Sequence, residues 1–277
     1  VYELAVAGGQ PRKLPLIDDS DVCNYDACYL PDGNIMFTST APMIGVPCVR
    51  GSSKVTNLYL LETRSGNIRR LTFDQDHDWC PTVLSDGHVM YLRWEYSGLP
   101  HSNSRILFQM NPDGTGQAAL YGSNSYWPNG VFYARPVPGH PTKIAGIVTG
   151  HHGVARMGEL VIFDPAVGHQ EADGAVQRIG DYGKPVEPVV RDALVDSSWP
   201  KFLHPWPLSE DFLLAACKLT PSSPWGLYLV DTFDNFVLLA GGPGTAILEP
   251  IPLKATPFPP VIAGCTLSCL HQSSLGN

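Results

Sequence analysis

The residues of this 277-residue chain that could do chemistry gather in a few short segments. Asp76-His77-Asp78 sets an imidazole between two carboxylates, which would raise the histidine pKa and could share a cation. The same residue types also make a polar turn whose Asp side chains cap backbone amides, and on that reading His77→Ala costs only stability. His151-His152 is more specific. Adjacent histidines on a strand point to opposite faces, but Gly150 and Gly153 flank this pair, so a bent loop could present both to a metal. Cys48, in Gly45-Val46-Pro47-Cys48, has Arg50 and Lys54 close in sequence. A loop thiol of this kind is a metal ligand or, with its pKa lowered by a cation, a reactive group. The alternative is a disulfide with Cys23 or Cys28 in an oxidising compartment. A metal centre from these parts would use Cys48, His151 or His152, and Asp26 or Asp76 to activate water. Around it, His77, Asp78, Glu95, His101, Arg156, Trp127 and Trp199 are the candidate ligand contacts. The tryptophans read either as a stacking platform or as packing between sheets, and Cys217 reads as strand core.

The familiar signatures do not occur. The seven cysteines form no C-x-x-C pair and no C-x-x-C-H haem attachment site, so covalent haem is not expected. Gly241-Gly242-Pro243-Gly244 is not followed by a Lys-Ser/Thr pair and no helix is expected after it, so it is not a phosphate loop. There is no G-x-S-x-G elbow and no H-E-x-x-H helix.

The elements that must position these residues repeat. An apolar run, a tight turn and a second apolar run occur at 2–14, 59–71, 108–120, 162–179 and 228–239, at intervals of about 50–65 residues. Before them stand inner hairpins with Asp-Gly turns, Asp32-Gly33 and Asp86-Gly87, between alternating apolar residues. This pattern predicts an all-β chain, a β-propeller of four-stranded antiparallel blades. Four blades are complete, and a half-blade at 1–14 could be closed by inner strands from 245–253. The ring would have about five blades, or belong to a larger propeller. Closure of this kind removes exposed sheet edges. The propeller spans 1–262 as one domain. Its hairpin turns fall on one face, and the long connections 41–55, 74–79, 95–103 and 150–156 fall on the other, which is therefore the expected functional face. Aligning the inner strands by their following residue places Asp26, Cys80, Trp127 and Trp199 at equivalent points around the mouth of the channel.

Bulk composition agrees. Charged residues are only 16% of the chain, with 27 Gly and 26 Pro, which suits many short strands and turns. A net charge of −8 and the absence of a basic cluster argue against nucleic-acid binding. No apolar stretch reaches the roughly 18–20 residues of a membrane span. The chain opens at Val1 without a basic-then-apolar leader and reads as a mature product or a fragment.

The runs YDACYLPDGNIMFTSTA, GVPCV, VTNLYLLE, RRLTFDQDHDWCPTVLSDG, RWEYSGLPH, MNPDGTG and GSNSYWPN resemble the middle domain of the hydrazine synthase alpha subunit and its relatives. So do FYARPVPGHPTKIAGIVTGHHGVARMGELVIFDP, WPKFLHPWPLS, SPWGLYLVDTFDN and LEPIPL. The resemblance covers about residues 2–262. It implies a propeller related to the WD40-like repeats of TolB-type proteins, with a periplasmic or extracellular location. The family joins nitric oxide and ammonia using c-type haems, with a zinc near the active haem. This chain lacks the haem sites, so the resemblance implies a module without covalent haem that binds a small ligand, a metal or a partner domain, haem-bearing or other, on its loop-rich face. The alternative it implies is a zinc-dependent enzyme, or a redox subunit of the same type, acting on small nitrogenous substrates. In the family a propeller cysteine helps to hold zinc, and Cys48 is the loop cysteine proposed for that part. Residues 263–277 depart from the family and are expected to be poorly ordered, so Cys265, Cys269 and His271 are set aside.

Overall fold

A computed structural model describes residues 1–94, 105–151, 156–180, 186 and 188–264, with Cys48 described through its backbone alone. Glu95, His101, His152, Cys265, Cys269 and His271 lie outside the described residues. Within them the chain is all-β, apart from one 3-10 turn at Pro47–Val49. Among the described residues no helix is long and apolar enough to cross a membrane.

The chain begins with a two-stranded hairpin, β1 (Tyr2–Glu3) and β2 (Arg12–Lys13). Next come β3 (Asn24–Tyr29), β4 (Ile35–Ser39), β5 (Asn57–Leu61) and β6 (Ile68–Arg70), which form an antiparallel sheet in sequence order. The same meander recurs in β7 (Asp78–Val83), β8 (Val89–Trp94), β9 (Arg105–Met110) and β10 (Ala118–Tyr121). It recurs again in β11 (Gly130–Pro136), β12 (Ile144–Thr149), β13 (Glu159–Phe163) and β14 (Ala175–Ile179). The last copy is β15 (Lys201–Pro207), β16 (Phe212–Lys218), β17 (Gly226–Asp231) and β18 (Phe236–Ala240). A single parallel bridge, Gly130 to Arg105, joins the second and third copies into one sheet. The 245–253 segment forms no strand, and the β1–β2 hairpin remains a separate sheet.

The sequence explains the local turns. At Asp32, Asp86 and Asp113 the carboxylate accepts the amide two residues on, at 3.0, 3.0 and 2.9 Å, and the glycine between sits at positive φ. This is the Asx-turn chemistry that an Asp-Gly pair encodes. Between the sheets lie apolar layers. Met36, Leu58 and Leu60 meet Val89, Tyr91 and Ile106. Trp79, Met90 and Leu92 meet Val131, Val148 and Phe163. Ile147, Leu160 and Ile162 meet Phe202, Leu213 and Val230. Each fully buried side chain of this size contributes about 1.5–3 kcal/mol of transfer free energy, so these layers are the main source of cohesion.

Every innermost strand carries the same irregularity. Pairing shifts after Tyr25, Trp79, Phe132 and Leu203, and the next residue, Asp26, Cys80, Tyr133 or His204, has φ of 48, 51, 54 or 48°. A β-bulge of this kind re-aims one side chain out of the sheet. Glu249, in the non-strand segment 245–253, repeats the conformation with φ 54°. The equivalences are therefore Asp26, Cys80, Tyr133, His204 and Glu249. This corrects the expected alignment of Trp127 and Trp199 with Asp26 and Cys80, which rested on the proline that follows each tryptophan. Those two Trp-Pro pairs precede their strands, whereas the bulge lies inside them.

Candidate functional site

The five bulge-type residues meet one another in sequence. The Cys80 amide and thiol both donate to Asp26 Oδ2, at 3.3 and 3.5 Å. The Tyr133 backbone bonds the Cys80 sulfur. The Tyr133 ring lies 4.2 Å from that of His204, whose Nε2 is 3.6 Å from Glu249 Oε1. Glu249 also raises the carboxyl of Asp26 electrostatically, the smallest of the influences on it. Two arginines reach in. Arg156 hydrogen-bonds Tyr133 and lies over the rings of Trp79 and Phe132 at 5.3 and 5.1 Å. Arg135, two residues past Tyr133 on β11, stacks 4.1 Å from the Trp206 ring.

The electrostatics follow from enclosure. Asp26 is open to solvent but walled by protein, and confined water solvates a charge less well than bulk water does. Burial accordingly pushes its carboxyl up, against the hydrogen bonds from Cys80 and the charge of Arg156. Burial also pushes the Cys80 thiol well up, helped by the charge of Asp26, and the Cys28 thiol to about 12. Both are therefore neutral thiols rather than nucleophiles at neutral pH. Burial draws His204 down despite Glu249, and its buried Nδ1 has no hydrogen-bond partner among the described residues. The Tyr133 phenol is raised by burial first and by Cys80 next, while Arg156 opposes. Two carboxylates and two guanidiniums thus surround a tyrosine, an imidazole and thiols kept neutral.

The sequence-predicted residues separate into groups. Asp26 and Arg156 belong to this ring. His77 lies against its rim, stacked on Trp79 at 4.3 Å and on Trp94 at 5.5 Å, with Nδ1 accepting from Thr56 N and Oγ1 at 3.2 and 3.0 Å. Burial, with the charges of Arg105 and Arg156, lowers it to about 4, opposite to the rise that flanking carboxylates would give. The carboxylates turn elsewhere. Asp78 is buried on Arg93 Nε and Asn57 Nδ2 at 3.1 and 3.2 Å, and Asp74 joins the same guanidinium at 2.7 Å. Burial pushes Asp78 up while Arg93 opposes. Asp76 is buried separately.

His151 pairs through Nδ1 with Asp192 at 3.0 Å, and its carbonyl accepts from Arg105. Trp127 is fully buried against Phe163, below the guanidinium of Arg178. Trp199 is flanked by Lys201 and Lys218 at 5.0 and 6.0 Å. Cys23, Cys28, Cys80 and Cys217 are free thiols, so the alternative pairing of Cys48 with Cys23 or Cys28 is not made. The loop carrying Cys48 is anchored by Val46 and Val55 in the cluster of Trp79, Trp94 and Phe132, on which Cys80 and Tyr133 also pack.

Among the described residues no three His, Cys, Asp or Glu converge as metal ligands. The ring offers two pairs, Cys80 with Asp26 and His204 with Glu249. Their separations of 3.5 and 3.6 Å suit neighbours on one tetrahedral ion, for which metal–ligand distances near 2.1–2.3 Å require roughly 3.4–3.7 Å. Neither pair alone reaches the three protein ligands of a zinc enzyme.

Sequence reasoning missed Tyr133, His204 and Glu249. The signal was present as an apolar residue, a variable one, Ala or Pro, two more, then Leu or Val. It reads Tyr25-Asp26-Ala27-Cys28-Tyr29-Leu30, Trp79-Cys80-Pro81-Thr82-Val83-Leu84, Phe132-Tyr133-Ala134-Arg135-Pro136-Val137, Leu203-His204-Pro205-Trp206-Pro207-Leu208 and Leu248-Glu249-Pro250-Ile251-Pro252-Leu253.

No protein-family model and no curated protein sequence matches the chain. Among solved structures it is similar to the hydrazine synthase of Kuenenia stuttgartiensis, with a TM-score of 0.66 and 14% identity over 87% of this chain and 35% of that one. It is similar also to a putative TolB from Agrobacterium tumefaciens (TM-score 0.42, 17% identity, 67% of this chain and 54% of that one). TolB from Acinetobacter baumannii gives a TM-score of 0.44 at 13% identity, covering 76% of this chain and 41% of that one. The chain therefore spans about a third of the hydrazine synthase chain it matches, and at this identity the likeness is one of fold. The bulge residues are carried on a β-propeller fold related to that of hydrazine synthase.

Proposed function

We propose that the chain is a five-unit propeller module whose inner strands converge on one central binding site for a small polar ligand. Its fifth unit is built from the β1–β2 hairpin and the 245–253 segment. One observation carries this reading: four unlike side chains, Asp26, Cys80, Tyr133 and His204, stand at the same bulge position of four repeats, and Glu249, at the same positive φ outside any strand, lies 3.6 Å from the last of them. A merely structural ring would be filled by apolar side chains. This one sets charge of both signs around an aromatic pair, and its four formal charges balance. The complementary ligand is small and zwitterionic or neutral, with a donor for Asp26 or Glu249 and an acceptor for Arg156 or Arg135. A thermal-shift panel of small amino acids, amines and oxyacids tests this. At least one compound should raise the Tm of the wild type and leave Asp26→Asn and His204→Leu unchanged. Equal shifts in wild type and ring variants, or none in any, would reject the site. By fold likeness the module acts beside a partner domain, in the periplasm or outside the cell.

A second reading is favoured by the shared anchoring of the Cys48 loop and Cys80 on one cluster. Zinc held by Cys80 and Asp26, with a further ligand from that loop, would make the chain a metal-dependent enzyme acting on small nitrogenous substrates. Metal analysis of untagged protein separates the two. Near-stoichiometric zinc lost in both Cys80→Ser and Cys48→Ser supports the enzyme, and zinc unaffected by either substitution removes these cysteines from it.

A further inference from the structure

The ring of bulge residues has a second tier, one step further along the same strands. Pairing resumes past each bulge at Cys28 opposite Met36, Thr82 opposite Met90, Arg135 opposite Ala145 and Trp206 opposite Leu214. These four positions are equivalent, each two residues beyond Asp26, Cys80, Tyr133 or His204. They hold a thiol that burial keeps protonated, a hydroxyl, a guanidinium and an indole, with no carboxylate among them.

Arg135 is the member without a counterpart. Its guanidinium lies 4.1 Å over the Trp206 ring, and it is coupled electrostatically to Cys28, Cys80 and Glu249. A side chain of the third repeat that meets the first, second and fourth repeats and the 245–253 segment stands where the inner strands converge. Among the described residues it makes no hydrogen bond and no ion pair. Other half-buried guanidiniums do. Arg70 reaches Asn57 Oδ1 at 2.6 Å, Arg93 reaches Asp78 Oδ1 at 3.1 Å, and Arg178 reaches Glu159 Oε2 at 3.7 Å. An enclosed cation without an acceptor is costly, and burial draws the Arg135 pKa down accordingly. Held over an aromatic ring, the guanidinium keeps its N–H fork for a planar acceptor, and two parallel N–H groups match one carboxylate.

We infer that Arg135 anchors the carboxylate of a small amino carboxylate, whose ammonium group lies toward Asp26 and Glu249. Arg156 is already engaged, hydrogen-bonding Tyr133 and lying over Trp79 and Phe132. Asp26 and Glu249 are like charges that act on one another, so a cation near both is favoured. The inference rests on the reading of the ring as a binding site, and it fixes both the ligand class and the guanidinium that takes its acceptor.

The test is calorimetric titration of the full chain with glycine, β-alanine and γ-aminobutyrate, each beside its methyl ester, with thermal unfolding of every variant. At least one of the acids should bind the wild type about tenfold or more tighter than its ester does. Arg135→Met should weaken that binding by about tenfold or more and leave the Tm of the free protein unchanged or higher, since an uncompensated enclosed charge is removed. Arg135→Lys keeps the charge without the fork and should weaken binding as well. Binding unchanged in either variant, esters as tight as acids, or no binding by any of the three acids would overturn the inference. So would a Tm several degrees lower in Arg135→Met, which would mean that the guanidinium already holds an acceptor within the protein. Failure of the ring reading shows separately. Binding lost in Arg135→Met but unchanged in Asp26→Asn and His204→Leu rejects the ring and keeps the anchor, and the opposite pattern rejects the anchor alone.

Discussion

Acid should loosen this protein through His77, and the size of the effect can be worked from its surroundings. Held between Trp79 and Trp94 and facing Arg105 and Arg156, the imidazole has its pKa lowered from 6.5 to about 4. As pH falls, the unfolded chain takes up this proton first, near 6.5, and the folded chain only near 4. The contribution is therefore complete above the unfolded value and is lost between the two. At about 1.36 kcal/mol per pH unit, the loss is about 2 kcal/mol by pH 5 and about 3 kcal/mol by pH 4. His204 is also lowered and adds in the same direction, whereas the raised Asp26 opposes, since its contribution is lost as pH rises. A paired variant isolates His77. His77→Asn keeps an acceptor for Thr56 but cannot titrate here, at a cost of about 0.5–1.5 kcal/mol in ring stacking that does not depend on pH. Urea unfolding of both proteins from pH 7.5 to 4.5 is the assay. The wild type should lose about 2 kcal/mol more than the variant by pH 5. Parallel curves would mean that His77 is not the group lost to acid.

Three further outcomes follow from the same packing. Ellman's reagent at pH 8 should label exposed Cys23 fast and Cys28, Cys80 and Cys217 slowly or not at all, since burial holds these thiols protonated; mass mapping of early adducts on Cys80 would contradict this. Arg93→Met strips the buried Asp78 of its counter-charge and should cost about 3–5 kcal/mol in chemical denaturation, more than Asp78→Asn, and the reverse order would be inconsistent with a buried ion pair. Gly87→Ala places a methyl group against the Pro260 carbonyl at φ +92°, so limited proteolysis should cut 254–264 several-fold faster, and an unchanged rate would show that this contact does not hold the segment.

Much of the architecture was legible because turn chemistry is local. Asp32-Gly33, Asp86-Gly87 and Asp113-Gly114 announce their reversals in two residues, and the alternating apolar runs beside them became β3–β4, β7–β8 and β9–β10. The site was half legible. Asp26 and Arg156 stand out in the sequence, but the ring depends on non-glycine residues held at positive φ, a conformation no residue type advertises. Trp127-Pro128 and Trp199-Pro200 imitate Cys80-Pro81 in composition while sitting before the strand. The Asp76-His77-Asp78 run shows the complementary failure. Three polar residues adjacent in sequence are parted by strand alternation and by Arg93, so only the imidazole faces the rings of Trp79 and Trp94.

Segments far apart in sequence meet at one centre in this fold, and the titration of His204 reports on that meeting. NMR observation of its ring proton in wild type and Glu249→Gln is the measurement. The wild-type pKa should lie below the ordinary histidine value, and lower still once the Glu249 carboxylate is gone. A pKa at or above the ordinary value that ignores Glu249 would mean that the fifth segment does not complete the ring.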